Sequence, residues 1–270
     1  RAEREGAGRS GEEERRAAER GPETRARRSA DRLARRRALA ERAFQEMDPR
    51  EIEAARELVR DLGRRHRARR ARRLRRAHRG RLDLRRTFRR AMSRGGVPLE
   101  LLQRKPRPGK SDLVALVDLS HSAAAAAEFL LALLAPSRAF FRRVLLLAYV
   151  DDVVEVSYEN GHVVPHAALD LAARSDFGRV LRALLERYES ALTRDTVFLV
   201  LGDARNNRRP PRADLLDRIG RRVRTVVWLN PEPRARWNTG DSVLATYEKH
   251  VAALLGAQNL RELAAALDHL

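Results

Sequence analysis

Leu113-Val114-Ala115-Leu116-Val117-Asp118-Leu119-Ser120-His121-Ser122 decides how this chain folds. Its unbroken apolar run reads as a strand buried on both faces of a parallel sheet. The run stops on an acid and two alternate hydroxyls, and an Ala/Leu-rich helix follows, about Ala123 to Leu134. Outward from this unit, strand and helix signals alternate. Val144–Val150 and Val153–Tyr158 read as two strands joined at Asp151-Asp152. A helix is expected over Gly178–Tyr188, a strand over Thr196–Leu201, a helix over Ala213–Ile219 and a strand over Val223–Leu229. Two closing helices are expected at Ser242–Leu255 and Leu260–Leu267. Such alternation implies right-handed crossovers and a three-layer α/β sandwich with a mostly parallel central sheet.

Upstream the texture differs. Residues 1–46 are mostly Arg, Glu and Ala with scattered Gly, too little apolar content to bury, so they read as a disordered or loosely helical charged segment. Asp48-Pro49 announces a helix, an acidic cap followed by Pro at the first helical position. Ile52, Ala55, Leu58, Val59 and Leu62 give it an apolar stripe, and Gly63 is suited to end it. Arg64 to Arg81 is a basic run whose only apolar residues are Leu74 and three Ala. A short helix is expected from Asp83 through Met92 to a stop at Gly95-Gly96, and Lys105–Lys110 reads as a linker. Three regions result: the charged segment 1–46, a basic helical arm and linker 47–110, and the α/β domain 111–270.

Charge follows the same division. Residues 1–110 hold 37 Lys and Arg against 17 Asp and Glu, the whole formal charge of +20, while residues 111–270 hold 20 of each. The chain has no cysteine, which excludes disulfides and thiolate metal sites. No apolar stretch reaches the ~20 residues a bilayer needs, and the charged start carries no secretory signal, so a cytoplasmic location is expected. No phosphate-binding loop of the G-x-x-x-x-G-K-[ST] type is present, so the chain is not expected to bind ATP that way.

The chemistry gathers at strand ends. In open α/β sheets ligands bind just beyond the carboxyl ends of strands, where the strand order reverses. Asp118, Ser120 and Ser122 offer three hard oxygens from one tight turn, a second strand ends at Leu201-Gly202-Asp203, and Ser175 supplies another hydroxyl before the helix at Gly178. Mg²⁺ suits such a set, with few protein oxygens and several retained waters.

Asp118-x-Ser120-x-Ser122 resembles the first segment of the metal-ion-dependent adhesion site of von Willebrand factor A domains. Ser175 falls where that family usually has Thr, and Asp203 where it has its last acid. His121 replaces the usual Gly, and Ala123 stands where Met is frequent; the oxygen donors remain. Leu201-Gly202-Asp203-Ala204-Arg205-Asn206-Asn207, Val227-Trp228-Leu229-Asn230-Pro231-Glu232-Pro233 and the upstream Arg81-Leu82-Asp83-Leu84-Arg85-Arg86-Thr87 resemble the CoxE-like branch. The resemblance implies a Rossmann-like von Willebrand A sandwich and a Mg²⁺ or Mn²⁺ site formed by Asp118, Ser120, Ser122, Ser175 and Asp203. It also implies association with a MoxR-type AAA+ ATPase in maturing a metalloenzyme such as carbon monoxide dehydrogenase. His121, Asp176, Arg205 and Asn206 would then belong to the partner-binding surface, with Arg205 pairing a carboxylate of the partner.

The same residues have plainer uses. Asp118 or Ser120 can cap the following helix; Asp203 to Asn207 can be a turn only; and Asp176 is an alternative donor to Ser175. His121 reads as a solvent-facing loop residue, Trp228 as core, Trp237 as a loop anchor and Asp241-Ser242 as a helix start. Residues 64–110 carry 20 basic residues against Asp83 and Glu100. That patch fits an acidic protein or nucleic-acid phosphates; Phe88 is its one aromatic, which leaves little for base stacking. A nucleic-acid-binding protein acting through its arm is therefore the alternative to a metal-dependent interaction module. A metal-dependent phosphoryl hydrolase ranks third, because the site offers mostly hydroxyls rather than clustered carboxylates.

Overall fold

A computed structural model of the chain describes residues 26–77, 81–82, 103–104, 111–135, 140–159 and 162–267. The chain divides into two compact units, Arg1–Arg42 and Ala43–Leu270. In the first, residues 26–41 form helix α1. The second holds helix α2 (Pro49–Ala77), the short antiparallel pair β1 (Arg81–Leu82) and β2 (Gln103–Arg104), and the α/β elements that follow. These are β3 (Asp112–Asp118), α3 (Ala124–Leu134), β4 (Val144–Tyr149), β5 (Val153–Glu159), β6 (His162–Pro165), α4 (Phe177–Tyr188), β7 (Thr196–Leu201), α5 (Ala213–Arg222), β8 (Thr225–Asn230), α6 (Leu244–Glu248), β9 (Ala253–Gly256) and α7 (Leu260–Ala266).

The sheet runs β6-β5-β4-β3-β7-β8-β9. Strands β4, β3, β7, β8 and β9 are mutually parallel, and β5 and β6 turn back antiparallel at one edge. Every residue of β3 and β7 is buried, as central strands covered on both faces must be. One face packs Val114, Leu116, Phe198, Val200 and Trp228 against α4, α5 and Tyr247 of α6. Period-two alternation turns Leu113, Ala115 and Val117 to the opposite face. There α3 packs with α2 and α7. The chain passes from β3 to β4 on one side and later returns to β7 on the other. The order therefore reverses between β3 and β7, and Asp118 and Gly202-Asp203 follow the carboxyl ends of that pair.

Helix α2 starts as its sequence predicts. Asp48 Oδ1 accepts from the backbone N–H of Arg50 and Glu51, both at 2.8 Å, and Glu51 Oε2 accepts from Asp48 N at 3.0 Å, a reciprocal capping box. Ala55, Leu58 and Val59 are buried, and Arg56 bonds Glu128 of α3 at 2.8 Å. Gly63 does not end the helix. It is buried and keeps a non-left-handed backbone, and α2 continues to Ala77, because one glycine costs only about 1 kcal/mol amid good helix formers.

Two further expectations change. Residues 242–255 are not one helix: α6 is short, and Ala253–Gly256 pairs parallel with β8 as an edge strand. Cross-strand pairing there overrides the helical preference of Ala and Leu. Strand β6 has no counterpart in the sequence reading; four residues ending on Pro165 are a weak signal, and that proline sits where an edge strand tolerates it. The helix expected from Asp83 and the linker Lys105–Lys110 lie outside the described residues. Among the described residues no helix is long and apolar enough to cross a membrane.

Candidate metal centre

Asp118 closes β3, is 2% exposed, and accepts from Ser120 N at 2.7 Å. After this turn Ser120 Oγ lies 3.4 Å from Ser122 Oγ, and Ser122 Oγ donates to Asp203 Oδ2 at 2.7 Å. Asp203, 1% exposed, follows β7. Its Oδ1 accepts from Arg205 N at 3.0 Å, a turn that needs Ala204 in the left-handed region at φ 59°. Gly202 precedes it; a Cβ there would run into the Tyr149 hydroxyl and touch Asp118, so only glycine lets the strand ends approach.

Ser175 is tied to the loop after Asp203 through its backbone. Asn207 Nδ2 donates to its carbonyl at 3.0 Å, and Asn206 Oδ1 accepts from Phe177 N at 2.7 Å. Asp176 caps α4 by accepting from Arg179 N at 3.0 Å. Beneath these loops lies an aromatic platform: Phe177 sits 5.2 Å from both Tyr149 and Trp228, and Trp228 stacks on Tyr247. Trp228 is core, as expected, and its Nε1 donates to Gly202 O at 2.8 Å. Trp237 anchors its loop through Glu232 O at 2.9 Å.

Electrostatics make this end of the sheet unusual. Burial first, then the charge of Asp203, push the Asp118 carboxyl up to about 7, against hydrogen bonds from Ser120 and Tyr149 that favour ionisation. Burial and the same two carboxylates raise the Tyr149 hydroxyl well above its usual value. Two buried acids with adjacent hydroxyls, and no cation touching Asp118 among the described residues, are the donor chemistry of a hard divalent ion with few protein ligands. Among the described residues no group of three His, Cys, Asp or Glu side chains surrounds a cation position, so any metal here relies on hydroxyl oxygens.

Several side chains take positions the sequence did not indicate. Arg205 is engaged within the fold: its Nη2 reaches Glu232 Oε1 at 2.8 Å and Oε2 at 3.1 Å, its Nη1 reaches Asp241 Oδ1 at 3.0 Å, and its Nε stands 3.8 Å from Asp203 Oδ2. It braces the Asp203 loop instead of offering its charge to a partner. Asn206 is fully buried and belongs to the scaffold rather than to a contact surface. Asp241-Ser242 does not start a helix; Asp241 Oδ2 accepts from Asn207 N at 3.1 Å, and Ser242 Oγ donates to Asp203 O at 3.0 Å. His121 and Ser122 are exposed. Glu232, 3% exposed between two prolines after β8, stands in the sequence reading only within the stretch Val227 to Pro233 and without a role; buried this way it needs a cation, which Arg205 supplies.

This sheet order, with its acid and hydroxyl loops at the switch point, defines a von Willebrand factor A-type domain. A family profile described as a VWA domain containing CoxE-like protein matches residues 54–263, and the chain belongs to that family. No curated protein matches it. Among solved structures, an aerotolerance-related membrane protein from Bacteroides fragilis, crystallised with multiple mutations to serines, is similar at 11% identity and a TM-score of 0.41. The match covers 59% of this chain and 97% of that one.

Proposed function

We propose that the protein is a metal-dependent protein-interaction module rather than an enzyme. Asp118, Ser120, Ser122 and Ser175 hold Mg²⁺ or Mn²⁺, with Asp203 direct or through water. A carboxylate of the partner completes the octahedron. The observation that carries this reading is the hydrogen-bonded chain Asp118–Ser120–Ser122–Asp203 at the reversal of strand order. Family membership supports the wider setting: an adaptor or co-chaperone for a MoxR-type AAA+ ATPase, in the cytoplasm, acting on a metalloenzyme such as carbon monoxide dehydrogenase. The partner ATPase would supply the energy. A pull-down from the native source tests it. An ATPase should be recovered with Mg²⁺, and lost with chelator and with Asp118→Ala; recovery that ignores all three conditions rules the metal out of the contact.

One observation favours a second reading. Helix α2 runs on past Gly63, and the side chains of Arg64, Arg65, Arg69 and Arg72 on it are exposed. A basic helix of this kind can bind nucleic acid through phosphates, with a log–log salt slope of about −0.9 per contact. Tight, sequence-selective DNA binding that survives deletion of residues 112–270 would make the arm the functional part.

A further inference from the structure

A cavity of about 420 Å³ opens directly against the metal loop. Ser122 and Arg205 form the wall it shares with the candidate metal centre. The rest comes from Gln45 in the turn before α2, from His121, and from Glu232 and Arg236 in the loop after β8, over Ala125 of α3 and a largely buried Phe44.

The charges on this wall do not cancel evenly. Glu232 is matched by Arg205 through a two-point ion pair, and Asp241 takes the other side of the same guanidinium. Arg234 is turned over the Trp237 ring, 4.8 Å from its centroid. Arg236 is exposed and meets Gln45 Oε1 at 3.5 Å, with no carboxylate in ion-pair range among the described residues. That contact leaves Gln45 Nε2 as a donor. The cavity therefore presents a guanidinium, an amide N–H and an imidazole edge above an apolar floor. Among the described residues no carboxylate completes this set.

We infer that this cavity is a second carboxylate subsite. It receives an acidic side chain from the same partner segment whose first carboxylate reaches the metal, so the recognised segment is diacidic. The inference rests on the metal–carboxylate reading above. Arg236 makes the main bond, a charge-assisted and geometrically bidentate one. The subsite also depends on the ion. Without metal, the acid of Asp203 repels an incoming carboxylate; with it, that charge is offset and Arg236 sets the sign of the opening.

Synthetic peptides test this on the full chain. Glycine-serine peptides carrying one Asp, or two acids separated by one to four residues, are titrated by fluorescence anisotropy with Mn²⁺ and again with chelator. At the best spacing the diacidic peptide should bind about tenfold tighter than the monoacidic one. Arg236→Ala should reduce it to the monoacidic level, leaving Mn²⁺ affinity by calorimetry unchanged. Equal binding of one-acid and two-acid peptides, or an equal loss of both in Arg236→Ala, overturns the subsite and leaves the metal reading standing. Mn²⁺ binding without any Mn²⁺-dependent peptide binding overturns the metal–carboxylate reading and the subsite with it.

Discussion

Strand β3 starts and finishes on an aspartate, and the two acids live under opposite conditions. Asp112 and Asp118 are almost equally buried, at 6% and 2% exposure. At the amino end, Arg142 grips Asp112 with Nε at 2.9 Å and Nη2 at 2.7 Å, and those bonds hold its carboxyl below the usual range. At the carboxyl end, Asp118 has a second acid for a neighbour and no cation partner among the described residues, and its carboxyl rises to about 7. The first acid brings its counter-charge within the sequence. The second lacks one among the described residues, and on the proposed reading a metal ion supplies it from outside.

The largest test of that contrast is metal affinity. Asp118→Ala should abolish Mn²⁺ binding in calorimetry with the fold intact, whereas Asp112→Ala should leave it unchanged. Loss in both variants would mean that the two ends are not independent.

Arg205 provides the next. Removing it strands Glu232 as a buried, unpaired acid, so Arg205→Ala should cost about 3 kcal/mol. A thermal melt should drop by about 2–4 °C per kcal/mol in a domain of this size. The double variant Arg205→Met with Glu232→Gln should recover much of the loss. If single and double variants melt alike, the pair is not what holds the loop.

Acidity gives a smaller effect. The folded carboxyl of Asp118 stands at about 7 against an ordinary aspartate value of 3.8, so the folded state binds the extra proton between those values. The metal-free protein is therefore favoured at low pH and loses that stability as pH rises through 7, by about 2 kcal/mol between pH 5 and 7. Asp118→Asn should remove this slope, and Mn²⁺ affinity of the wild type should climb over the same interval. A flat wild-type profile would show that Asp118 ionises freely without a metal. The smallest effect belongs to the other end of the strand: Arg142 is half exposed, so Asp112→Ala should cost only about 1 kcal/mol in the same melt.

Much of this is legible in the sequence alone. Thr196–Leu201 is a strand within its expected bounds, because a bounded run of Val, Leu and Phe admits few other readings. Asp118, Ser120, Ser122 and Asp203 are legible as strand-end residues and the fold joins them by hydrogen bonds, while Ser175 is tied in only through its backbone carbonyl. The failures have a common physical cause. Whether 253–256 is strand or helix depends on β8 offering an open edge, which no local pattern records. Arg205 and Glu232 are 27 positions apart, so their ion pair exists only once β7 and β8 lie side by side. Asn206 looked like a surface turn residue, yet it is fully buried because it completes the backbone of α4.

The unbroken course of α2 has a mechanical consequence. Residues 64–77 extend it by about 20 Å beyond Gly63 at the α-helical rise. Its base is clamped on α3 by Ala55, Leu58 and Val59 and by the Arg56–Glu128 bond. The helix is thus a lever with its fulcrum on α3, and α3 begins two residues after Ser122. A load on the arginine-bearing end becomes torque on the element that carries the metal loop.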